Sequence, residues 1–181
     1  MLCCKFGPSR VFRHNHLRDI LGHAAKGAGL SAVVIEQKNQ ITGSNKKPGD
    51  ITVQQYHRGF SSTAFDVTVT HPLQKKFIEV ATGVAGWAAQ EAHDKKLQKH
   101  LEDCKNDGLQ FVPLAWESTG GATETVHATL MKWTALEADR GGYPLAVIRQ
   151  TLFAQVSCCL QRHLAQAVFD RQPERECSRA L

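Results

Sequence analysis

The sequence predicts an α/β fold in which helices flank a mixed sheet of about four strands. Its 181 residues are enough for one domain with a sizeable core. With 42% hydrophobic and 22% charged residues, the chain resembles globular proteins, which excludes collagen-like, coiled-coil and wholly disordered chains. Alternating and helical apolar patterns follow one another in the order helix, strand, strand, strand, helix, strand, helix, helix.

The N-terminal half predicts one helix and three strands. Residues 11–29 carry apolar side chains at helical spacing and end at glycines that can cap a helix. The β-branched run 30–37 predicts a strand, and a polar loop follows it. Residues 50–57 and 64–72 predict two strands that pair as a hairpin across the turn RGFSS.

The C-terminal half predicts helices around one further strand. Residues 73–105 form a long helical pattern that only Gly83 and Gly86 interrupt. The dense apolar run 108–118 predicts a strand buried on both faces, and residues 122–138 and 144–170 predict two more helices. We expect a basic extension over 1–12, a single domain over 13–170 and a disordered tail over 171–181.

The net charge of +5 is unevenly distributed along the chain. Before Asp50, only Asp19 and Glu36 oppose a larger set of basic residues. These are Lys5, Arg10, Arg13, Arg18, Lys26, Lys38, Lys46 and Lys47. Such an asymmetry suits an anionic partner, above all a nucleic acid, although a merely basic surface explains the charge more simply when charge is considered alone.

The sequence also argues against membranes and against a cysteine-based metal site. It contains no apolar run of the roughly 18 residues that span a bilayer and no signal peptide, so we expect an intracellular protein with no membrane partner. The six cysteines include no CxxC spacing, which favours reduced thiols. Cys3 and Cys4 with His14 and His16 predict no zinc site, because adjacent cysteines do not easily chelate one ion.

Three carboxylates lie at strand ends or on one strand face, namely Glu36, Asp50 and Asp66. A hairpin can bring Asp50 and Asp66 together, and Mg²⁺ is the usual cation between paired carboxylates. Simpler interpretations exist, because Asp50 suits a turn and Asp66 could lie on a solvated strand face.

Several lysines in the following helical segment are candidates for positioning water or stabilising charge on phosphorus. They are Lys75, Lys76, Lys95, Lys96 and Lys99. A solvated helix end is the plainer explanation for any one of them.

Six short motifs occur in a characteristic order. They are RHNHLRD at 13–19, AGL at 28–30 ahead of Glu36, KPGDI at 47–51, FDVTV at 65–69, AHDKKLQKH at 92–100 and VPLAWESTGG at 112–121. Together they resemble the restriction-like endonuclease module of site-specific non-LTR retrotransposons, which belongs to the PD-(D/E)XK nuclease superfamily. The resemblance covers about residues 13–121 and does not extend to the C-terminal helices.

This resemblance implies a DNA endonuclease that uses Mg²⁺ or Mn²⁺. Asp50 and Asp66 would be metal ligands, Glu36 would be the preceding acidic residue, and Lys96 would replace a strand lysine, with Lys99 in reserve. The DNA would contact a basic set of residues and one neighbouring amide. These are Arg13, His14, Asn15, Arg18, Lys46 and Lys47.

The sequence departs from the pattern of the family at two points. Gly49 separates Pro48 from Asp50, and the zinc knuckle and reverse transcriptase that normally lie upstream do not precede the RHN motif in this sequence. We therefore expect a detached, nuclear module whose reverse transcriptase is encoded elsewhere.

Two alternatives to an active nuclease remain open at this point. The first is a catalytically inactive relic that binds nucleic acid or protein. The second is an interaction protein whose C-terminal helix offers an apolar stripe to a partner, although an internal core explains that stripe equally well. The stripe consists of Leu152, Phe153, Val156, Leu160 and Leu164.

Overall fold

The computed structural model of the chain describes residues 9–42, 47–75, 77–81 and 83–170. It has a four-stranded mixed sheet flanked by four long helices, which confirms the predicted fold class. The strands are β1 (Val34–Ile35), β2 (Ile51–Gln54), β3 (Ser62–Thr70) and β4 (Leu109–Glu117). The helices are α1 (Ser9–Gly27), α2 (Ile78–Ala81), α3 (Trp87–Asn106), α4 (Glu124–Gly141) and α5 (Leu145–Phe169).

The sheet follows the chain in the order β1, β2, β3, β4. β1 and β2 are antiparallel, and β2 and β3 form the predicted antiparallel hairpin, with Ile51 opposite Phe65. β3 and β4 are parallel over nine residue pairs, from Ser62 opposite Leu109 to Thr70 opposite Glu117. Parallel neighbours need a crossover connection, and α2 and α3 provide it.

The larger hydrophobic core lies between one face of the sheet and the helices α1, α4 and α5. β3 contributes Phe65 and Val67 to this core, and α4 contributes Trp133, which is completely buried. The rings of Phe65 and Trp133 pack edge to face with their centroids 5.2 Å apart. This packing fixes the hairpin against the helical layer.

A smaller core covers the opposite face of the sheet, where Ala64 and Phe111 pack with Cys104 of α3. Residue 66 alternates with its neighbours as predicted, but its side chain lies in the wall of a cleft and is not on an open face of the sheet. Asp66 is 8% exposed. The interpretation that places Asp66 on a solvated face is therefore wrong.

Two predicted elements differ from the structure. β1 has two residues instead of eight, and the positive φ values of Ala32 (44°) and Glu36 (56°) turn the backbone out of extended geometry on both sides. The long helix predicted over 73–105 is interrupted, because Gly86 adopts a left-handed φ of 79° immediately before α3. Glycine reaches that conformation without a steric penalty, so the chain can change direction there.

The boundaries of the domain lie closer to the predicted ones. α1 begins at Ser9, so residues 9–12 belong to the helix and not to an extension. The predictions for residues 1–8, Lys46, Lys76 and the tail 171–181 lie outside the described residues.

The C-terminal apolar stripe packs inside the chain. Leu152, Val156 and Leu160 of α5 are buried in the larger core, with Phe153 packed against it and Leu164 half-buried. The stripe therefore offers little surface to a partner. Among the described helices, none is long and apolar enough to cross a membrane.

Candidate functional site

The β2–β3 hairpin brings Asp50 and Asp66 to adjacent positions. Asp50 precedes Ile51, the residue that pairs with Phe65, and its backbone N–H donates to the Phe65 carbonyl oxygen at 2.8 Å. The backbone N–H of Val67 in turn donates to Oδ2 of Asp50 at 2.7 Å. The Asp50 carboxylate is thus anchored on the strand that carries Asp66.

Helix α3 supplies the lysine that contacts Asp66. Nζ of Lys96 donates to Oδ1 of Asp66 at 2.9 Å and lies 2.9 Å from its Oδ2. The hydroxyl of Thr68, two residues further along β3, donates to Oδ2 of Asp66 at 3.0 Å. Lys99, the reserve candidate, is exposed, so the helix directs Lys96 to this carboxylate.

Helix α1 supplies the corresponding partner of Asp50. Nε2 of His14 lies 3.3 Å from Oδ1 of Asp50. The hydrogen bond to Asp50 raises the pKa of His14. Burial alone would raise the pKa of Asp50, but the contacts with His14 outweigh it and the pKa is lowered. Asp50 is therefore held as a carboxylate beside an imidazole that readily accepts a proton.

The electrostatics of Asp66 are different. Its pKa is raised because burial outweighs the favourable charge and hydrogen bond of Lys96, and the nearby charge of Asp50 raises it further. Two neighbouring carboxylates with opposite pKa shifts are typical of functional sites. Such a pair favours a cation between its members.

These side chains line one cleft with a volume of about 570 Å³. The lining combines the two aspartates with basic residues from α1 and α3. It consists of Arg10, Val11, Arg13, His14, Asp50, Asp66, Val67, Thr68, Val69 and Lys96. A cleft of this composition can hold an anionic group against the basic side chains while keeping the carboxylates within its walls.

Glu36 lies beside the cleft in a network of its own. Arg18 donates to Oε1 of Glu36 at 2.8 Å, and Lys47 forms an ion pair with Oε2. The hydrogen bond from Lys47 and the contact with Arg18 lower the pKa of Glu36 despite its partial burial. One oxygen of Glu36 still lies within 4.8 Å of ligand atoms of His14 and Asp50. Glu36 is thus close to Asp50 and His14, but its negative charge is already offset by Arg18 and Lys47.

The residues predicted to contact DNA fall into two groups. Arg13 and His14 line the cleft, whereas Asn15, Arg18 and Lys47 belong to the network around Glu36. In that network, Nη1 of Arg18 donates to Oδ1 of Asn15 at 3.3 Å. In this second group, Arg18 and Lys47 pair with the Glu36 carboxylate of this chain, and Asn15 accepts a hydrogen bond from Arg18.

The donor set of the cleft fits a magnesium or manganese ion. Both metals prefer oxygen ligands, and the carboxylates of Asp50 and Asp66 are the acidic groups of the cleft wall. Lys96 and His14 currently offset these negative charges, so an ion bound here would compete with two cations of the chain.

Sequence reasoning missed two contributions to this site. Arg10 lines the cleft one helical turn before His14, and His14 itself contacts a candidate metal ligand instead of only flanking the core. The i, i+4 spacing of Arg10 and His14 on a predicted helix would have placed both on one face, had the helix been extended to Ser9.

Gly49, the residue between Pro48 and Asp50, has a steric role. A Cβ atom at position 49 would lie 2.8 Å from the carbonyl oxygen of Phe65, which is backbone and cannot swing away. Only glycine allows the chain to pass this close to β3 before Asp50.

We therefore expect Gly49→Ala to lower the free energy of unfolding by about 1–3 kcal/mol, the usual cost of overpacking, and to displace Asp50. Chemical denaturation measures the loss. The matched control is Gly83→Ala, where the nearest atom to the new Cβ would be the Val80 carbonyl oxygen at 3.8 Å. Equal stability of the two variants would contradict the steric explanation.

Comparisons of sequence do not place the chain in a known group. No protein-family model matches it, and no curated protein is significantly similar to it.

Proposed function

We propose that the protein is a metal-dependent endonuclease that hydrolyses phosphodiester bonds in DNA, related to the restriction-like module of non-LTR retrotransposons. The observation that carries this proposal is the contact between Lys96 and Asp66 beside Asp50, in a cleft whose other ionisable side chains are basic. A lysine displaced from the strand into the following helix is what the motif resemblance implies, and the Thr68 position is filled by a hydroxyl.

The chemistry assigns a role to each side chain. Asp50 and Asp66 would hold Mg²⁺ or Mn²⁺, which supplies positive charge for the phosphate and lowers the pKa of water. Lys96 orients the attacking water or stabilises charge on the pentavalent phosphorus, and Glu36 assists from beside the cleft. The water loses a proton as its oxygen bonds to phosphorus, the bond from phosphorus to O3′ breaks, and the leaving oxygen takes up a proton to give a 3′ hydroxyl.

The basic wall of the cleft fits the backbone of a nucleic acid. Arg10 and Arg13 from α1 line the same cavity as the aspartates, so a phosphate held by them lies near the carboxylates. Phosphate contacts position a duplex without reading its sequence. DNA as substrate agrees with a nuclear location and with a reverse transcriptase encoded elsewhere as a functional partner.

A second candidate function is binding of nucleic acid without cleavage. It is favoured by the fact that Asp50, Asp66 and Glu36 each already contact a basic side chain of this chain. A site neutralised in this way holds together without a metal ion.

The two functions are separated by nicking of supercoiled plasmid with Mg²⁺ or Mn²⁺, using the purified chain, the Asp66→Asn variant and an EDTA control. We expect nicking by the wild type only, because Asn removes a charged metal ligand while keeping the shape of the side chain. Absence of metal-dependent nicking by the folded wild type, together with retained DNA binding, would establish the second function instead.

Thermal unfolding checks that the Asp66→Asn variant is folded. Burial raises the pKa of Asp66, so the ionised carboxylate costs the folded state free energy at neutral pH. Asp66→Asn is therefore expected to unfold in EDTA at a temperature no lower than that of the wild type. Its DNA affinity should be unchanged or higher, because a negative charge is lost.

A further inference from the structure

A second cluster of metal-ligating side chains lies between α1 and α5, away from the aspartates. Nδ1 of His16 is 3.1 Å from Nε2 of His163, and their rings meet edge to face with centroids 5.3 Å apart. The thiol of Cys159 completes the group, and one ligand atom from each residue lies within 4.8 Å of the others. Cys159 is 2% exposed and His163 is half-buried.

The two helices explain why these residues meet. Cys159 and His163 are four residues apart on α5, so they share one helical face and project side by side. His16 follows His14 by two residues, which is a rotation of about 200° around α1. His14 therefore contacts Asp50 while His16 contacts His163 on the other side of the same helix.

We propose that His16, Cys159 and His163 bind one zinc ion. Imidazole and thiolate are the ligands that Zn²⁺ prefers, and a set of one sulfur and two nitrogen atoms does not suit Mg²⁺. Three protein ligands leave the fourth tetrahedral position to water or to an external ligand. Binding replaces the thiol proton of Cys159 by the metal, so one proton is released for each ion bound.

The environment of Cys159 and His163 is compatible with replacement of the thiol proton by a metal ion. Burial raises the pKa of Cys159, so the metal-free cluster contains a neutral thiol, while the charges of Arg13 and Arg162 oppose that shift and favour the thiolate. Burial lowers the pKa of His163, which keeps its imidazole neutral and free to coordinate.

A zinc ion at this position would act on the candidate nuclease site through α1. The ion would link α1 to α5 and so fix the rotation of α1, the helix that also carries Arg13 and His14 into the cleft. Its role is structural positioning, and the proposal stands whether or not the cleft cleaves DNA.

The test uses the full chain in which Cys3, Cys4 and Cys177 are replaced by serine, so that the thiols able to bind Zn²⁺ or Co²⁺ are restricted to Cys104, Cys158 and Cys159. Titration with Zn²⁺ should give one ion per chain, and excess Mg²⁺ should not displace it. Co²⁺ should give tetrahedral ligand-field bands together with a thiolate-to-cobalt charge-transfer band. Zinc should also raise the unfolding temperature.

The variants Cys159→Ser and His163→Gln decide the outcome. Cys159→Ser should abolish the charge-transfer band, and His163→Gln should weaken zinc binding by at least about tenfold, the loss seen even for groups that only support a ligand. Cys158→Ser is the matched control, because Cys158 is adjacent and exposed and should leave both signals unchanged.

Three results would overturn the proposal. They are no zinc binding by the parent chain, a charge-transfer band that persists in Cys159→Ser, and unchanged affinity in His163→Gln. Asp66→Asn should retain the zinc signals, which separates this site from the aspartates. If Cys159→Ser does not fold, His163→Gln, at a half-buried position, still decides the question.

Discussion

Replacement of Lys96 by alanine is expected to reduce metal-dependent nicking of DNA by about 10²–10³-fold, the usual cost of removing one group that stabilises charge in a transition state. Lys96 is the basic side chain of α3 that reaches the cleft, where it donates to Asp66 at 2.9 Å. Alanine removes both the positive charge near phosphorus and the group that orients the carboxylate. Single-turnover nicking assays at saturating metal would measure the loss in the chemical step.

Lys95→Ala is the matched control for this experiment. Lys95 is the preceding residue of α3, is exposed and forms its ion pair with Glu91 on the helix surface. The two substitutions change net charge and helix propensity equally, so they differ only in what the lysine contacts. Wild-type cleavage by both variants would remove Lys96 from the mechanism, whereas an equal reduction in both would indicate a general effect of charge on DNA binding.

The parts of the fold that could be predicted from sequence are those specified by local patterns. The hairpin of β2 and β3 was predictable, because two alternating runs are separated by a short turn. β4 was predictable as a doubly buried strand, because its apolar residues are too dense for a strand with one solvated face. In both cases the pattern of apolar residues in the sequence matches the burial of their side chains in the structure.

The missed features depend on contacts that local patterns do not contain. Residues 73–86 have helical spacing, yet the left-handed conformation of Gly86 and the packing of Phe77 on Trp87 redirect the chain there. β1 is short because the backbone turns at Glu36, whose carboxylate is held by Arg18 and Lys47. Tertiary contacts override a local preference at both places.

In the candidate site, too, some features follow from local sequence patterns and others depend on tertiary contacts. The hairpin register alone brings Asp50 next to Asp66, so this pair could be predicted from local sequence. The choice of Lys96 over Lys99 agrees with the motif resemblance, but it depends physically on how α3 crosses the sheet. The cluster of His16, Cys159 and His163 joins positions up to 147 residues apart, and only the spacing of Cys159 and His163 was visible in advance.

Trp133→Ala is expected to cost about 3–5 kcal/mol of unfolding free energy, the usual loss for truncating a buried tryptophan. Trp133 is fully buried, and its ring packs edge to face on Phe65. A typical domain has only about 5–15 kcal/mol in total, so this one substitution can consume most of the stability. Urea denaturation followed by far-ultraviolet circular dichroism is the appropriate measurement, because the substitution itself removes a fluorophore.

Trp133→Ala should also loosen the candidate site. Phe65 packs on Trp133, and its carbonyl oxygen accepts the backbone N–H of Asp50. The matched control is Trp87→Ala, at a half-buried ring that packs on Phe77 at the start of α3. Its truncation should cost clearly less, since less of the ring leaves the protein interior. Equal losses would mean that the aromatic contact behind the hairpin does not dominate the packing. A larger loss for Trp133→Ala would show that the contact between Trp133 and Phe65 contributes more to stability than the contact between Trp87 and Phe77.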